Sequence, residues 1–212
     1  MSHRAFLGLV ALGPMDPEIV RRLRTAVAKI LGLPVRVLRP RALPAETFHI
    51  VRNQYHSTQI LEYLLSEHDS GACRILGVTS VDLYIPILTF VFGEAQLNGK
   101  AALISIYRPR GDADGANPPP AVVFKRLIKL SIHELGHTFG LGHCREEGCL
   151  MGFAANLEKL DQKNLTFCNY CQVLLADFYQ EHNIFPRLKR YEGTPVPNVA
   201  IPIVESGRKR RR

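Results

Sequence analysis

The densest chemistry in the chain lies between His133 and Cys171. In Ser131-Ile132-His133-Glu134-Leu135-Gly136-His137-Thr138-Phe139-Gly140-Leu141-Gly142-His143, two histidines stand four residues apart. On a helix that spacing sets both imidazoles on one face about a turn apart, as two ligands of one zinc require. Glu134 lies one step round the helix, placed to reach a zinc-activated water rather than the metal. His143 follows His137 by six residues, and at about 100° per residue a continued helix would carry it off the ligand face. The helix must therefore stop. Gly140 stands where a left-handed C-terminal turn would reverse the chain and bring His143 back. Gly136, inside the helix, costs up to about 1 kcal/mol against alanine, which hints at a close backbone approach.

A second group of ligand-type residues begins at the next position. Cys144 and Cys149 are five apart, Cys168 and Cys171 three apart, spacings suited to a closed tetrahedral zinc site of four thiolates. Two disulfides would use the same cysteines. A Cys168–Cys171 redox pair would leave Cys144 and Cys149 without a role. Cys73, alone in an apolar run, reads as a small buried hydrophobe. Glu146 and Glu147 read as solvated loop residues. His3, His49, His56, His68 and His182 have no comparable company and read as surface or satisfied core groups.

The elements that must position these residues are legible around them. The chain has 212 residues, 46% of them apolar and 22% charged, enough for one sizeable core. No apolar run reaches the roughly 18–20 residues of a membrane span, and Asp16 and Glu18 interrupt any secretory signal. The expected location is the cytoplasm, where thiols stay reduced. The net charge is +8, carried mainly by residues 1–41 and the terminal Arg208-Lys209-Arg210-Arg211-Arg212; such ends are solvated or bind nucleic acid through its phosphates.

Phe6–Leu12 reads as a buried strand. Asp16-Pro17-Glu18 opens a helix that Gly32 closes, and Val35–Leu38 is a second strand. A second helix spans about Ser57–His68, followed by strands at Ile75–Leu83, Phe90–Leu97 and Ala101–Tyr107. Asn98-Gly99 makes the last two an antiparallel hairpin. A Gly/Pro-rich loop then leads into a long helix starting near Ala121. Val173, Leu174, Leu175, Phe178 and Tyr179 mark a C-terminal helix, and the proline-bearing end is irregular. The expected fold is α/β (α+β), a twisted mixed sheet with an antiparallel edge strand, a backing helix and an active-site helix. Residues 1–140 form the N-terminal subdomain. Residues 141–212 form a smaller C-terminal one with the third histidine, the four cysteines and the basic tail.

Taken together, His133-Glu134-x2-His137-x2-Gly140-x2-His143-Cys144-x4-Cys149-x-Met151, then Cys168-x2-Cys171, resembles the archaemetzincins, metzincin-clan metallopeptidases with four added cysteines. Gly77–Tyr84 and Phe90–Ala95 resemble the sheet strands of that family. The resemblance implies a metzincin fold and two zinc ions per chain. His133, His137 and His143 would hold the catalytic one, and Cys144, Cys149, Cys168 and Cys171 the structural one. Glu134 would be the general base, and Met151 would sit in a turn beneath the metal, where a lone methionine is otherwise core filler. Some metzincins carry a tyrosine two residues after that methionine. Here the position is Phe153, which cannot hydrogen-bond an oxyanion.

The function expected is zinc-dependent hydrolysis of peptide bonds by a monomeric protein acting on peptide or protein substrates. The peptide would lie extended along the edge strand Phe90–Leu97. One rival is a zinc-stabilised binding module with vestigial catalysis, whose basic ends contact nucleic acid. The other is a thiol oxidoreductase.

Overall fold

Six consecutive apolar or glycine residues form strand β1 (Leu7–Leu12), and all of them are buried. Such a run, with no polar alternation, is that of a strand covered on both faces. Leu7, Leu9 and Ala11 belong to one core cluster, Val10 and Leu12 to another. The computed structural model describes residues 5–66, 71–111 and 117–184. The basic run 208–212, the proline-bearing end, His3 and His68 lie outside the described residues.

Helix α1 (Pro17–Leu31) starts and stops as its sequence signals dictate. Asp16 Oδ1 accepts from Glu18 N at 2.8 Å, and Gly32 closes the helix at φ 67°. β2 (Val35–Val37) runs parallel to β1, pairing Leu7 with Val35. Two short strands, β3 (Phe48–His49) and β4 (Gln54–His56), precede helix α2 (Ser57–Ser66). Then come β5 (Arg74–Thr79), β6 (Leu83–Tyr84), β7 (Gly93–Ala95) and β8 (Ala101–Ser105). The main sheet has the order β2-β1-β5-β8-β7, parallel except for β7, which runs antiparallel to β8 at the edge.

Two expected strands are shorter than their apolar runs. The segment from Ile75 leaves the main sheet after Thr79. Leu83–Tyr84 pairs with β4 in a separate sheet of order β3-β4-β6, whose two- and three-residue strands are too short to show alternation. Asp82 fixes this departure: its carboxylate accepts from Arg108 Nε and Nη2 and from Gln54 Nε2. In Phe90–Leu97 only Gly93–Ala95 forms the strand, while Val91 N donates across to Leu83 O at 2.9 Å. The segment thus bridges the two sheets. Asn98 adopts φ 53° in the tight connection to β8, as the Asn-Gly pair foretells.

Helix α3 (Pro120–Thr138) packs with α1 beneath one face of the main sheet, and α2 covers the other. Helix α4 (Leu157–Gln162) is only six residues long and shows no legible periodicity; Asn156 Oδ1 caps it at Lys159 N. Helix α5 (Asn169–Glu181) lays Phe178 and Tyr179 against Phe139, ring centroids 5.4 Å apart in both cases. One core cluster runs from β1 and α1 through α3 to α5. No helix among the described residues is long and apolar enough to cross a membrane.

Candidate active site

Helix α3 carries His133 and His137 on the face toward a cavity of about 380 Å³ bounded by β7 and by the chain after Leu150. The helix ends as its glycine requires. Gly140 adopts φ 82°, its N–H donates to His137 O at 2.9 Å, and Leu141 N donates to Gly136 O at 3.1 Å. This paired motif needs a left-handed residue, and the reversal returns His143 to the other two histidines.

Ligand atoms of His133, His137 and His143 all lie within 4.8 Å of one another. His133 Nδ1 donates to Leu150 O at 2.8 Å and His137 Nδ1 to Leu141 O at 2.7 Å. With Nδ1 protonated in this way, each Nε2 keeps its lone pair for a metal. The two Nε2 atoms are 3.1 Å apart, close to the roughly 3.3 Å edge of a tetrahedron with zinc–nitrogen bonds of about 2.0–2.1 Å. Burial pushes His133 down to about 4, against the opposing pull of the Leu150 carbonyl; the other imidazoles and Lys163 lower it further. Burial also lowers His137 and His143. Three imidazoles held neutral at pH 7 suit a cation, which must otherwise displace protons.

Glu134 is buried beside them, its Oε1 against β7. An ideal Cβ on Gly93 would fall 2.9 Å from it, so the edge strand needs a glycine there. Burial and then the charge of Glu94 push the Glu134 carboxyl up to about 8. Glu94 itself is satisfied at the start of α2, accepting from Ser57 Oγ and from Thr58 Oγ1.

The four cysteines also converge, all with free thiols. Cys144 Sγ lies 3.7 Å from Cys168 Sγ, and Cys149 Sγ 3.8 Å from Cys171 Sγ. Those separations are far beyond a disulfide bond of about 2.0 Å. They match the edge of about 3.8 Å in a tetrahedron with zinc–sulfur bonds of about 2.3 Å. Glu146 N and Cys168 N donate to the sulfurs of Cys144 and Cys149 at 3.4 and 3.3 Å, as amides do toward thiolates. Burial first, and then the charge of Cys149, raise the Cys171 thiol; only a cation lets four such groups ionise together.

Met151 is fully buried against α3. An ideal Cβ on Gly136 would come 2.5 Å from Met151 Sδ and 3.1 Å from its Cε, so the mid-helix glycine is the space that the methionine fills. Gly136→Ala should therefore lower thermal stability, overpacking costing roughly 1–3 kcal/mol against a propensity gain of up to about 1 kcal/mol. In a Met151→Ala background the same change should stabilise. Thermal unfolding of the four proteins decides it, and a stabilised single mutant would refute the contact.

Phe153 is largely exposed, with its ring 5.3 Å from that of His143. The remaining described histidines stand apart from the cluster. His49 Nδ1 accepts from Arg52 N, and His182 stacks on Phe178. His56 departs from the expected satisfied state, because its buried Nδ1 has no hydrogen-bond partner among the described residues.

Sequence reasoning missed several residues here. Arg126 and Lys129 are buried on α3 and bind the end of α4, while Lys163 and Gly152 meet at the cavity wall. The available signal was two basic residues interrupting the inward face, Arg126 just before Leu127 and Lys129 just before Leu130.

Residues 14–177 match the family model described as peptidase family M54. The archaemetzincin of Methanopyrus kandleri is 41% identical over 166 residues, 76% of this chain and 89% of that protein. That of Methanocaldococcus jannaschii is 37% identical, over 78% and 90%. The fold is similar to the crystal structure of the M. kandleri archaemetzincin, with a TM-score of 0.73 and 38% identity over 84% of this chain and 96% of that one. The Archaeoglobus fulgidus archaemetzincin, solved in complex with malonate, gives a TM-score of 0.69 at 30% identity, over 80% and 99%. With a histidine triad and a four-cysteine cluster both spaced for zinc, the chain belongs to peptidase family M54 with the archaemetzincins, and is a zinc metallopeptidase.

Proposed function

We propose that His133, His137 and His143 hold the catalytic zinc through their Nε2 atoms, and that Cys144, Cys149, Cys168 and Cys171 hold a structural one. Zinc in the histidine site supplies a Lewis acid that polarises a carbonyl and brings the pKa of a water to about 7. Glu134 takes the proton of the attacking water and returns it to the leaving amine as the peptide bond breaks. Met151 and Gly140 support the site, one packed under α3 and the other turning the chain toward His143. The substrate peptide lies extended beside β7, which pairs on its outer side with no other strand among the described residues. Chain function divides after Gly140: the stretch 1–140 supplies the sheet, two imidazoles and the base. The stretch 141–212 supplies the third imidazole and the cysteine site.

The observation that carries this reading is the pair of Nδ1–carbonyl hydrogen bonds, which aim two Nε2 lone pairs at one point 3.1 Å across, beside a buried carboxylate. The substrates are peptides or proteins. We read the chain as cytoplasmic and monomeric, with no nucleic-acid partner; five free thiols suit a reducing compartment. Metal analysis with a peptide-library digest tests the whole. Two zinc ions per chain and cleaved peptides are expected. A doubly loaded protein that cleaves nothing would favour the binding-module reading.

A further inference from the structure

The cavity that holds the imidazoles is mostly apolar, lined by residues such as Phe90, Phe92, Leu130, Leu150 and Ala154, yet two lysines also line it. Lys129 is buried, and its Nζ donates to Leu160 O and Asp161 O, both at 2.8 Å. These carbonyls lie at the C-terminal end of α4, where a cation meets the negative end of the helix. Arg126, also buried, pairs with Asp161 at 2.6 Å and donates to the carbonyls of Pro109 and Gly111. Two buried cations on α3 thus clamp one short helix. The residue that follows that helix is Lys163, whose own N–H shares Leu160 O at 3.2 Å.

Lys163 is half-buried, and its ammonium rests on Gly152, where an ideal Cβ would fall 2.2 Å from Nζ. Gly152 stands between Leu150, whose carbonyl holds His133, and Phe153, whose ring meets that of His143. The ammonium therefore borders the imidazole cluster. It makes no hydrogen bond or ion pair with any described residue. Of the two carboxylates in the cavity, Glu94 is engaged by Ser57 and Thr58, and Glu134 packs against Gly93 on the strand side. A lysine on an open surface is satisfied by water. Lys163 is folded over a glycine where the mostly apolar cavity meets an open polar groove, and its ammonium can receive a carboxylate through a charge-assisted hydrogen bond.

We propose that Lys163 forms a subsite for a substrate carboxylate beside the scissile bond, held in place by Arg126 and Lys129 through α4. The carboxylate is that of an acidic side chain or of the substrate's own C-terminus. This rests on the peptidase reading above, with peptide in this cavity.

The test uses the zinc-loaded full chain and one peptide scaffold with blocked ends. It carries Glu, Gln or Lys at either position flanking the cleaved bond, and a further version ends in a free carboxylate there. The Glu peptide or the free-carboxylate peptide should exceed the blocked Gln peptide in kcat/KM by on the order of 10–100-fold. Which of the two does so identifies the source of the carboxylate. Lys163→Met should erase that ratio and Lys163→Glu should shift preference to the Lys peptide, a reversal that a merely structural lysine would not produce. Zinc content and circular dichroism verify that both variants fold. Equal cleavage of Glu, Gln and free-carboxylate peptides by the wild type overturns the subsite alone. So does a preference that survives Lys163→Met, or an equal loss on every peptide. No cleavage of any peptide by a protein holding two zinc ions overturns the peptidase reading and the subsite with it.

Discussion

Glu134→Ala is expected to keep the fold and both metals while hydrolysis falls by about 10²–10⁴-fold, the range that a positioned general base contributes. The carboxylate is buried, with its Oε1 packed on Gly93 of the edge strand, and it makes no contribution to either cluster of metal-ligand atoms. Removing it therefore leaves three imidazoles and four thiols intact. It also relieves the metal-free protein of a carboxyl that burial and Glu94 push up to about 8. The sign follows from linkage: the metal-free folded state holds that proton up to about 8 while the unfolded chain loses it near 4.5, so stability falls as pH rises between those values. Glu134→Ala should flatten this dependence in metal-free protein. Zinc content, thermal melts across pH and peptide turnover are the measurements. Turnover near the wild-type rate in a doubly loaded mutant would remove Glu134 from the mechanism.

What made the site legible in the sequence was that its ligands are close in the chain and on one regular element. His133 and His137 need only the pitch of α3, and Gly140 announces the reversal that returns His143. The four cysteines needed only their spacing. The main sheet was legible for a similar reason, since Leu7–Leu12 and Ala101–Ser105 are apolar runs bounded by turn residues. The small sheet was not, because strands of two or three residues have no period to read, and only Thr79-Ser80 and Asp82 separate Leu83–Tyr84 from the longer apolar run before it. Lys129 and Lys163 were hidden for another reason. Their partners, the carbonyls at the end of α4 and the bare backbone of Gly152, carry no side-chain signature. A lysine held by backbone looks, in sequence, like any solvated lysine.

The order in which the metals leave follows from how the two sites are wired. Three imidazoles leave a coordination position open, and an open position gives a chelator somewhere to attack, whereas four thiolates close theirs. The cysteine site also anchors what surrounds it. Cys144 N donates to Met151 O and Gly152 N to Cys149 O, both at 2.9 Å, and Leu150 N donates to Thr166 O at 3.1 Å. Leu150 in turn holds His133 through its carbonyl. Loss of the thiolate site would thus loosen the carbonyl behind His133, the methionine under Gly136 and the residue next to His143 together. Mild chelation at neutral pH should empty the histidine site first, leaving a folded, inactive protein with one zinc. Acid is a less clean route. His133 is depressed to about 4 in the metal-free fold, so between about 6.5 and 4 the unfolded chain takes up a proton that the folded one refuses, and stability falls with pH over that window. Cys171→Ser should empty or weaken both sites and lower Tm by roughly 10 °C or more, because structural zinc supplies folding free energy outright. Zinc release followed beside circular dichroism reads the outcome. If the first zinc to leave takes the tertiary fold with it, or if Cys171→Ser retains full activity and Tm, the cysteine cluster is not the structural anchor.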